Sequence, residues 1–430
     1  MTADDLDPIG PIVTHLFRHS AGRIVAALAR VLGPERLDLA EEVAQDALVR
    51  ALETWPYRGV PDNPRGWLFQ VARHRALDLL RREATFRTKT AALGDALDTA
   101  LGRSADRDGG GDIDDDELAM IFMCCHPALP HPSRIALTLK TVGGFSVTEI
   151  GAALLAEPAA VAQRIVRAKR QIRDEHLPLE LPGESELRPR LDAALDVVYL
   201  MFNEGYAAHG GDNLTRADLC GEAIRLGRLL AQNPATDLPH VNALLALLLL
   251  QASRLPARED AAGDLLLIEA QDRRRWDRAM IDDGMRHLER AAAGDELTPW
   301  HLEADIAACH AVAPDAAATD WARVLGLYDD LLALKPSPVV ELNRAIALAM
   351  VEGPPAGVAA LEALRGHDAL CRYHLLPAAL AALRLRSGDA AGAACDYRAA
   401  LALPCSVPER RFLARQLARC EGTLRGPHLQ

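Results

Sequence analysis

Residues 143–173, GGFSVTEIGAALLAEPAAVAQRIVRAKRQIR, hold the most specific structural signal in the chain. The glycine pair that opens the stretch ends one helix, because glycine readily takes the left-handed conformation found after helices. Ser146 and Glu149 then predict a capping box, in which the side chain of each accepts a hydrogen bond from the backbone N–H of the other. Pro158 suits the first position of the following helix. The stretch therefore predicts two short helices joined by a tight turn.

The second of these helices, residues 158–173, is amphipathic. Its apolar residues recur at helical spacing and form one narrow stripe: Val161, Ile165, Ala168 and Ile172. The outer face is basic, because the segment carries five basic residues and no acidic one. A tight turn before a helix with a basic face is typical of a helix-turn-helix that binds DNA. The alternative is a solvated amphipathic helix in which arginine is only a good helix former, and the lack of acidic residues favours DNA contact.

Composition predicts an all-α protein. Half of the 430 residues are apolar and 25% are charged, which excludes a wholly disordered chain. Aromatic residues make up only 4%, while alanine and leucine are abundant throughout. This mixture favours helices over strands. A chain of this length is expected to hold about three modules.

Charge is unevenly distributed along the chain. The net charge of −12 argues against a general binder of polyanions. Residues 64–89, however, carry seven basic and two acidic residues, and residues 108–117 pack six acidic residues into ten. The protein is therefore acidic overall, with two basic islands at 64–89 and 158–173.

Cysteine usage and hydropathy predict a cytoplasmic protein that has no membrane partner. The eight cysteines are scattered without a CxxC pair, and the N-terminal stretch lacks the pattern of a secretory signal. The longest apolar run, residues 241–250, is shorter than the roughly 20 residues that span a bilayer.

Breaks in composition divide the chain into three modules, at 10–84, 117–176 and 190–430. The first two are separated by a Gly- and Asp-rich stretch, 85–116, that predicts a flexible acidic linker. The second break, 177–189, contains three prolines and predicts a linker without room for a continuous helix.

The first module is predicted to hold an acidic helix, a stiff loop and a basic helix. The acidic helix, within 41–55, has apolar positions at Val43, Ala47, Leu48, Ala51, Leu52 and Trp55. The loop 56–64, PYRGVPDNP, is predicted to be non-helical because of its prolines. The basic helix, 65–82, is predicted to bury Leu68, Ala72, Ala76 and Leu79.

The third module shows a hidden period. Tyr328 and Tyr397 each precede a proline by one helical stretch, and they lie 69 residues apart, or twice 34.5. A period near 34 residues is the length of a tetratricopeptide repeat (TPR). Gly388, Ala393 and Ala400 occupy the turn and small-residue packing positions of such a helix pair. The module is therefore predicted to be a TPR-like helical-repeat domain, a class that usually presents a surface to a protein or peptide.

Three blocks together resemble an extracytoplasmic-function (ECF) sigma factor: AEEVAQDALVRALETWP, NPRGWLFQVARHRALDLLRR and SVTEIGAALLAEPAAVAQRIVRAKRQIR. They correspond in order to regions 2.1–2.2, 2.3–2.4 and 4.2, and the resemblance covers about the first 176 residues. The remainder, 190–430, resembles the tetratricopeptide-like extension of one ECF subgroup. The resemblance implies a subunit that binds core RNA polymerase and promoter DNA and has no catalytic chemistry of its own.

The resemblance also implies where the partners bind. Region 2.2 docks on the clamp helices of the polymerase β′ subunit and region 4 on the β flap. The candidate polymerase-binding residues are Asp46, Leu48, Arg50, Leu52 and Glu53.

The DNA-facing residues follow from the same resemblance. For the −10 element they are Trp67, Arg73, His74, Arg75, Asp78, Arg81 and Arg82. Many members carry asparagine where this chain has His74. For the −35 element they are Ala160, Gln163, Arg164, Arg167, Lys169 and Arg170. Among these residues Gln163, Arg164 and Arg167 suit base readout. Lys169 and Arg170 lie further along the helix and suit phosphate contact.

Other polar clusters favour structural roles. The adjacent thiols of Cys124 and Cys125 diverge on a helix and lack a second pair, so they predict buried packing rather than a metal site. The mixed charges of 264–277 predict a salt-bridged surface at helical spacing, and 203–206 predicts a helix end. No cofactor and no metal are expected, and an enzyme is the least supported class.

Two classes of function remain. The first is a sigma factor whose C-terminal domain modulates its activity, alone or by holding a regulatory protein. The second is a helix-turn-helix regulator or adaptor whose solenoid binds a protein partner.

Overall fold

The computed structural model describes residues 9–82, 96, 112–154, 156–206, 215–260 and 263–425. Within these ranges the chain is helical and contains no β-strand, with one isolated bridge between Glu259 and Leu265. This confirms the predicted all-α class. The chain divides into two compact units, Met1–Met201 and Phe202–Gln430.

The first unit is built from eight described helices, the last of which crosses the division. They are α1 (Ile9–Leu32), α2 (Leu37–Arg58), α3 (Pro64–Arg82), α4 (Asp112–Cys124), α5 (His131–Thr141), α6 (Val147–Ala153), α7 (Pro158–Asp174) and α8 (Glu184–Tyr206). The predicted acidic linker lies largely outside the described residues. Its last part is already helical, because α4 begins at Asp112 rather than at 117.

Helix α2 extends further than its prolines suggested. The expectation that 56–64 is wholly non-helical is wrong, because α2 contains Pro56 and ends at Arg58. A proline so close to a helix end forgoes only one backbone hydrogen bond of the final turns. Gly59 then ends the helix with φ 79°, and its N–H donates to the carbonyl of Trp55 at 2.9 Å.

The buried face of α3 is rotated slightly from the predicted one. Leu68, Ala72 and Ala76 are buried as expected, but Leu80 rather than Leu79 completes the stripe. Spacings of three and four residues both fit a helix face, and the packing of α1 and α2 against α3 selects between them.

A third difference concerns the predicted linker 177–189. Helix α8 begins inside it at Glu184 and includes Pro189. The proline lies near the helix start, where the loss of one backbone hydrogen bond is offset by the burial of apolar residues that follow. Leu191, Ala194 and Leu195 are fully buried.

The second unit is a succession of helices, most of which are joined by short connections. They are α9 (Ala217–Gln232), α10 (Pro239–Ala252), α11 (Arg278–Ala291), α12 (Pro299–Val312), α13 (Trp321–Leu334), α14 (Pro338–Glu352), α15 (Pro354–Ala363), α16 (Leu375–Arg386), α17 (Ala390–Leu401) and α18 (Val407–Arg425). Helix α10 is buried on every side and forms the centre of this unit, with residues 241–250 at most 4% exposed. None of the helices in the described ranges combines the length and apolar content needed to cross a bilayer.

The helix pair α16–α17 has the turn glycine and the buried residues that the sequence predicts at these positions. Gly388 takes φ 85° at the turn between the two helices, a conformation that favours glycine. Tyr397, Ala393 and Ala400 are buried in one apolar cluster with Ala381 and Leu413 of the flanking helices.

Between α10 and α11 the chain is irregular, and the predicted helical charge pattern of 264–277 is wrong. Short 3-10 turns, Ile268–Ala270 and Arg273–Arg275, replace a helix. The charges therefore have separate roles. Asp264 is held by Arg415 of α18, whereas Arg273 is buried.

Candidate functional site

The segment that leads from α5 through α6 to the start of α7 has the geometry that its sequence predicts. Gly144 takes φ 68° after α5. The N–H of Ser146 donates to Oε2 of Glu149 at 2.8 Å, and the N–H of Glu149 donates to Oγ of Ser146 at 3.2 Å. Pro158 is the first residue of α7. Both the capping box and the helix start are thus confirmed.

Helix α7 presents the predicted faces. The apolar stripe, composed of Val161, Ile165, Ala168 and Ile172, is at most 5% exposed. Opposite it, Gln163, Arg167 and Arg170 are exposed, while Ala160 and Arg164 are half-buried. The Nε of Arg170 lies 3.2 Å from Oδ2 of Asp174, and both side chains are largely solvated. The exposed face is therefore available for a polyanionic ligand.

Val166 also lies on this outer face and is 66% exposed. Sequence reasoning missed it, although its position off the buried stripe was a usable signal. An apolar side chain beside exposed Arg167 and Arg170 suits contact with a thymine methyl group.

Lys169 is not on the free face of α7. Its Nζ donates to Oδ1 of Asp38 at 2.8 Å and to Oε2 of Glu41 at 2.7 Å, and its side chain is 12% exposed. Burial lowers the pKa of this ammonium group, but the two carboxylates outweigh it, and the net pKa is raised. The structure thus removes Lys169 from the predicted phosphate contacts in this arrangement. Sequence could not show this, because its partners lie some 130 residues earlier.

Other contacts bring α1 and α2 against α4, α5 and α7. The Oγ1 of Thr141 donates to Oε1 of Glu41 at 3.0 Å. The Nε of Arg23 lies 3.5 Å from Oε2 of Glu117, whose side chain is 1% exposed. Gly22 packs so closely that an added Cβ would meet the carbonyl oxygen of Val142. The first and second predicted modules therefore form one compact body.

The outer face of α2 combines charge with exposed apolar surface. Leu52 is 43% exposed, so its predicted place in the core is wrong, whereas its predicted place on a binding surface is compatible with the structure. Val49, which sequence reasoning missed, is 51% exposed. Arg50 and Glu53 are exposed, and Nη1 of Arg50 lies 3.4 Å from Oε2 of Glu53. Leu48 is half-buried.

Two residues predicted for different partners bind each other. The Nε of Arg75, expected to face DNA, donates to Oδ2 of Asp46, expected to face polymerase, at 2.5 Å. The pair joins α3 to α2 and is about one-third exposed. Each residue therefore already has a structural role.

Helix α3 carries the remaining residues predicted for the −10 element. Asn63 caps its start, accepting from the N–H of Gly66 at 2.8 Å. Half-buried Trp67 packs edge-on against Trp55, with ring centroids 5.4 Å apart. Arg73 is half-buried, while His74, Asp78 and Arg81 are exposed. The side chain of Arg82 lies outside the described part of the structure.

The thiols of Cys124 and Cys125 are buried at the end of α4, as expected. Burial raises the pKa of Cys125 to about 12, so its thiol stays protonated near neutral pH. Among the described residues no group of three or more His, Cys, Asp or Glu could hold a metal ion. Residues 125–130 connect α4 to α5, and His131 and Pro132 are the first two residues of α5.

Three family models match separate parts of the chain. Sigma-70 region 2 matches residues 16–86, and sigma-70 region 4 matches residues 119–172. A family of unknown function (DUF6596) matches residues 190–292, a segment that the sequence interpretation treated as part of the helical repeat.

Three similar proteins have the following names and coverage. An uncharacterized protein, R00370, of Rhizobium meliloti strain 1021 is 41% identical over 383 residues, which cover 89% of this chain and 90% of that protein. A probable RNA polymerase sigma factor, RfaY, of Xanthomonas campestris pv. campestris is 29% identical over 41% of this chain and 46% of its own length. The ECF RNA polymerase sigma factor SigE of Mycolicibacterium smegmatis is 28% identical over 38% of this chain and 61% of its own length.

Proposed function

The chain belongs to the ECF-type sigma factors that carry a C-terminal extension, and on that premise we propose how it engages polymerase and promoter. The β′ clamp helices of core RNA polymerase bind the outer face of α2, and the β flap binds region 4. Helix α3 contacts the −10 element and α7 reads the −35 element. The protein acts in the cytoplasm, where polymerase and DNA are.

The exposed face of α7 is the observation that carries this proposal. This face carries the exposed side chains of Gln163, Arg167 and Arg170. The opposite face of α7 is buried, and the helix follows directly after α6 and its capping box. A helix presented in this way fits the major groove of DNA. Arg167 and Gln163 are the candidates for base readout, and Arg170 is the candidate for a phosphate contact.

The α2 face supports polymerase docking. Leu52 and Val49 provide exposed apolar contact area, and Glu53 adds a carboxylate beside them. Interfaces of this kind use an apolar centre with charges at its rim. Electrostatic complementarity with a basic clamp would accelerate the encounter.

The α3 surface supports contact with promoter DNA around the −10 element. His74 and Arg81 are exposed there, and Trp67 lies partly exposed beside Trp55. Unpaired bases are held largely by stacking on aromatic rings. With few aromatic residues on this surface, we expect modest melting activity.

We assign the second unit a modulating role, as a TPR-like domain that sets the activity of the sigma regions or holds a regulatory protein. Its helix hairpins and large helical surface support this assignment. A unit tethered to the sigma regions by one chain is present at high effective concentration, about millimolar for a short tether.

Run-off transcription tests the sigma assignment. Purified protein and core polymerase are incubated with sheared genomic DNA, and the 5′ ends of the transcripts are sequenced. We expect a small set of start sites, absent with core polymerase alone, that share elements near −10 and −35. Sequence-specific DNA binding without new start sites would instead support a helix-turn-helix regulator or adaptor.

A further inference from the structure

Two arginines and three aromatic rings lie together in the second unit, and we call them the arginine–aromatic cluster: Arg254, Arg273, Trp276, His310 and Trp321. The guanidinium carbon of Arg273 is 4.6 Å from the ring centroid of Trp276, and that of Arg254 is 5.4 Å from the same centroid. The ring of His310 lies edge-on to Trp321 at 5.2 Å. None of these residues belongs to the surfaces assigned to polymerase or DNA.

Arg273 is anchored on one side only. It is 7% exposed, and its Nη1 donates to the carbonyl oxygens of His310 and, at 2.9 Å, Ala313 at the end of α12. Its Nε and Nη2 have no acceptor among the described residues. These two nitrogens form the edge with which a guanidinium binds both oxygens of a carboxylate or phosphate group.

The cluster also has unbalanced positive charge. Within the described ranges neither arginine is paired with a carboxylate. Arg273 donates to backbone carbonyls, and Arg254 donates to the side-chain oxygens of Gln251 and Gln271. Burial lowers the pKa of both guanidinium groups, and repulsion from Arg254 adds to the effect on Arg273. Exposed Asp315 attracts Arg273 without a hydrogen bond. A buried charge without a partner is costly, and a bound anion would remove that cost.

Three more buried polar atoms of the cluster have no partner among the described residues: the Nε1 atoms of Trp276 and Trp321 and the Nδ1 of His310. The two indole N–H groups are donors, and Nδ1 of His310 donates in one of the two tautomers of the neutral ring. Buried donors are rarely left unsatisfied in native proteins, and each one lowers stability. Arg254 is half-buried and connects the cluster to the surface.

We propose that the arginine–aromatic cluster binds a small-molecule oxyanion, a carboxylate or a phosphate, held by the Nε–Nη2 edge of Arg273. The site lies partly in the segment matched by the family of unknown function, 190–292. It goes beyond the proposed sigma function, because it gives the C-terminal extension a ligand of its own.

The test uses the purified full-length protein without polymerase or DNA, so its result does not depend on the proposed function. Inorganic phosphate and acetate are titrated separately against chloride at constant ionic strength. Thermal unfolding and tryptophan fluorescence are recorded, since two of the five tryptophans lie in the cluster. We expect a saturable fluorescence change and, at tenfold excess over Kd, a rise in Tm of about 3 °C with one of the anions.

Two variants separate specific binding from the general stabilising effect of phosphate, which does not saturate. Arg273→Lys keeps the positive charge but lacks the bidentate edge, and it should weaken binding at least about tenfold. Arg274→Lys is the matched control on the same turn, because the Arg274 side chain is 90% exposed and paired with Asp272. It should bind like the wild type.

Saturation with phosphate alone identifies a phosphate ligand, and saturation with acetate alone identifies a carboxylate ligand. The proposal is overturned if the wild-type protein shows no saturable response to either anion. It is also overturned if Arg274→Lys loses binding as much as Arg273→Lys. The wild-type titration decides the question even if Arg273→Lys does not fold.

Discussion

Arg167 and Arg170 lie on the same face of α7 but differ in their surroundings. Arg170 pairs with Asp174 further along the helix, whereas Arg167 is exposed nearer the helix start and makes no ion pair with a described residue. The start of a recognition helix is the part that reaches base edges. The two arginines are therefore expected to do different work on DNA.

Arg167→Ala should cost about 1–3 kcal/mol of binding free energy on the preferred site and relax the preference at one base pair. Arg170→Ala should weaken binding to all sequences alike and make the salt dependence less steep. Fluorescence anisotropy on −35 duplexes with single base-pair changes, at two salt concentrations, measures both effects. Equal losses for both variants on every duplex would show that Arg167 does not read bases.

His310 should make the second unit sensitive to acid. Burial, together with the nearby charges of Arg254 and Arg273, lowers its pKa from 6.5 to about 4. As the pH falls, the unfolded state binds the proton of this histidine before the folded state does. The free energy of unfolding is therefore unaffected by His310 above pH 6.5 and decreases between pH 6.5 and 4. The decrease in the free energy of unfolding approaches about 3 kcal/mol.

His310→Gln should flatten this acid limb. The measurement is Tm against pH from 7.5 to 4.5 for both proteins, with their difference as the readout. Glu409 adds little in this range, since its burial is outweighed by nearby His374 and by hydrogen bonds from the N–H and Oγ of Ser406, which lower its pKa to about 2. A parallel decline of both curves would contradict the assignment.

At the scale of elements, the two sides of α2 have different surroundings. One side packs on α3 and pairs Asp46 with Arg75, and the outer side exposes Leu52 beside Glu53. Charge reversal at Asp46 would therefore disturb the α2–α3 contact as well as any binding surface. A test of polymerase docking belongs on the outer side.

Leu52→Asp combined with Glu53→Lys should weaken binding to core polymerase at least about tenfold, because it removes apolar contact and reverses a charge. Asp46→Asn is the contrast: it removes the charge that holds Arg75 and should lower Tm slightly while changing core affinity less than about twofold. Anisotropy with labelled protein and purified core polymerase measures both. Unchanged affinity in the Leu52 variant would exclude this surface.

The attachment of α7 to α2 depends on Lys169. Lys169→Gln leaves the carboxylates of Asp38 and Glu41 without their shared cation, and it should destabilise the first unit by about 2 kcal/mol. Arg173→Gln is the control on the same helix, because Arg173 is exposed and Asp174 is its ion-pair partner among the residues that the structure describes. Urea unfolding followed by circular dichroism compares the two. Equal destabilisation would mean that the pair contributes little.

At the scale of the whole molecule, the position of α8 decides where the extension can be removed. The helix contributes Leu191 and Leu195 to buried surface, and Nε2 of His131 lies 3.9 Å from Oδ2 of Asp196. Truncation at Pro182 would remove these contacts from the first unit. Truncation after Tyr206 keeps α8 complete.

The protein truncated after Tyr206 should initiate transcription with an efficiency that differs at least about threefold from the full-length chain, because a tethered domain acts at high local concentration. Higher activity would mean that the extension inhibits, and lower activity in a folded protein would mean that it is required. Circular dichroism verifies folding. Equal activity across conditions would contradict the modulating role.

The sequence by itself determined the local features of this protein. The glycine stop before α6, the Ser146–Glu149 box, the start of α7 at Pro158 and the Val161–Ile172 stripe depend on residues within a few turns of one another, and all are confirmed. The same holds for the all-α class, which follows from composition and periodicity.

Only the tertiary structure decided which polar groups are free and which are already paired. Asp38 and Glu41 bind Lys169, Asp46 binds Arg75, and Arg273 lies against α12 rather than on a helical surface. Tertiary packing also decided that Leu80 rather than Leu79 is buried in α3 and that Pro189 is part of helix α8. Each outcome depends on residues far apart in the chain, whose burial outweighs local propensity and cannot be read from a local pattern.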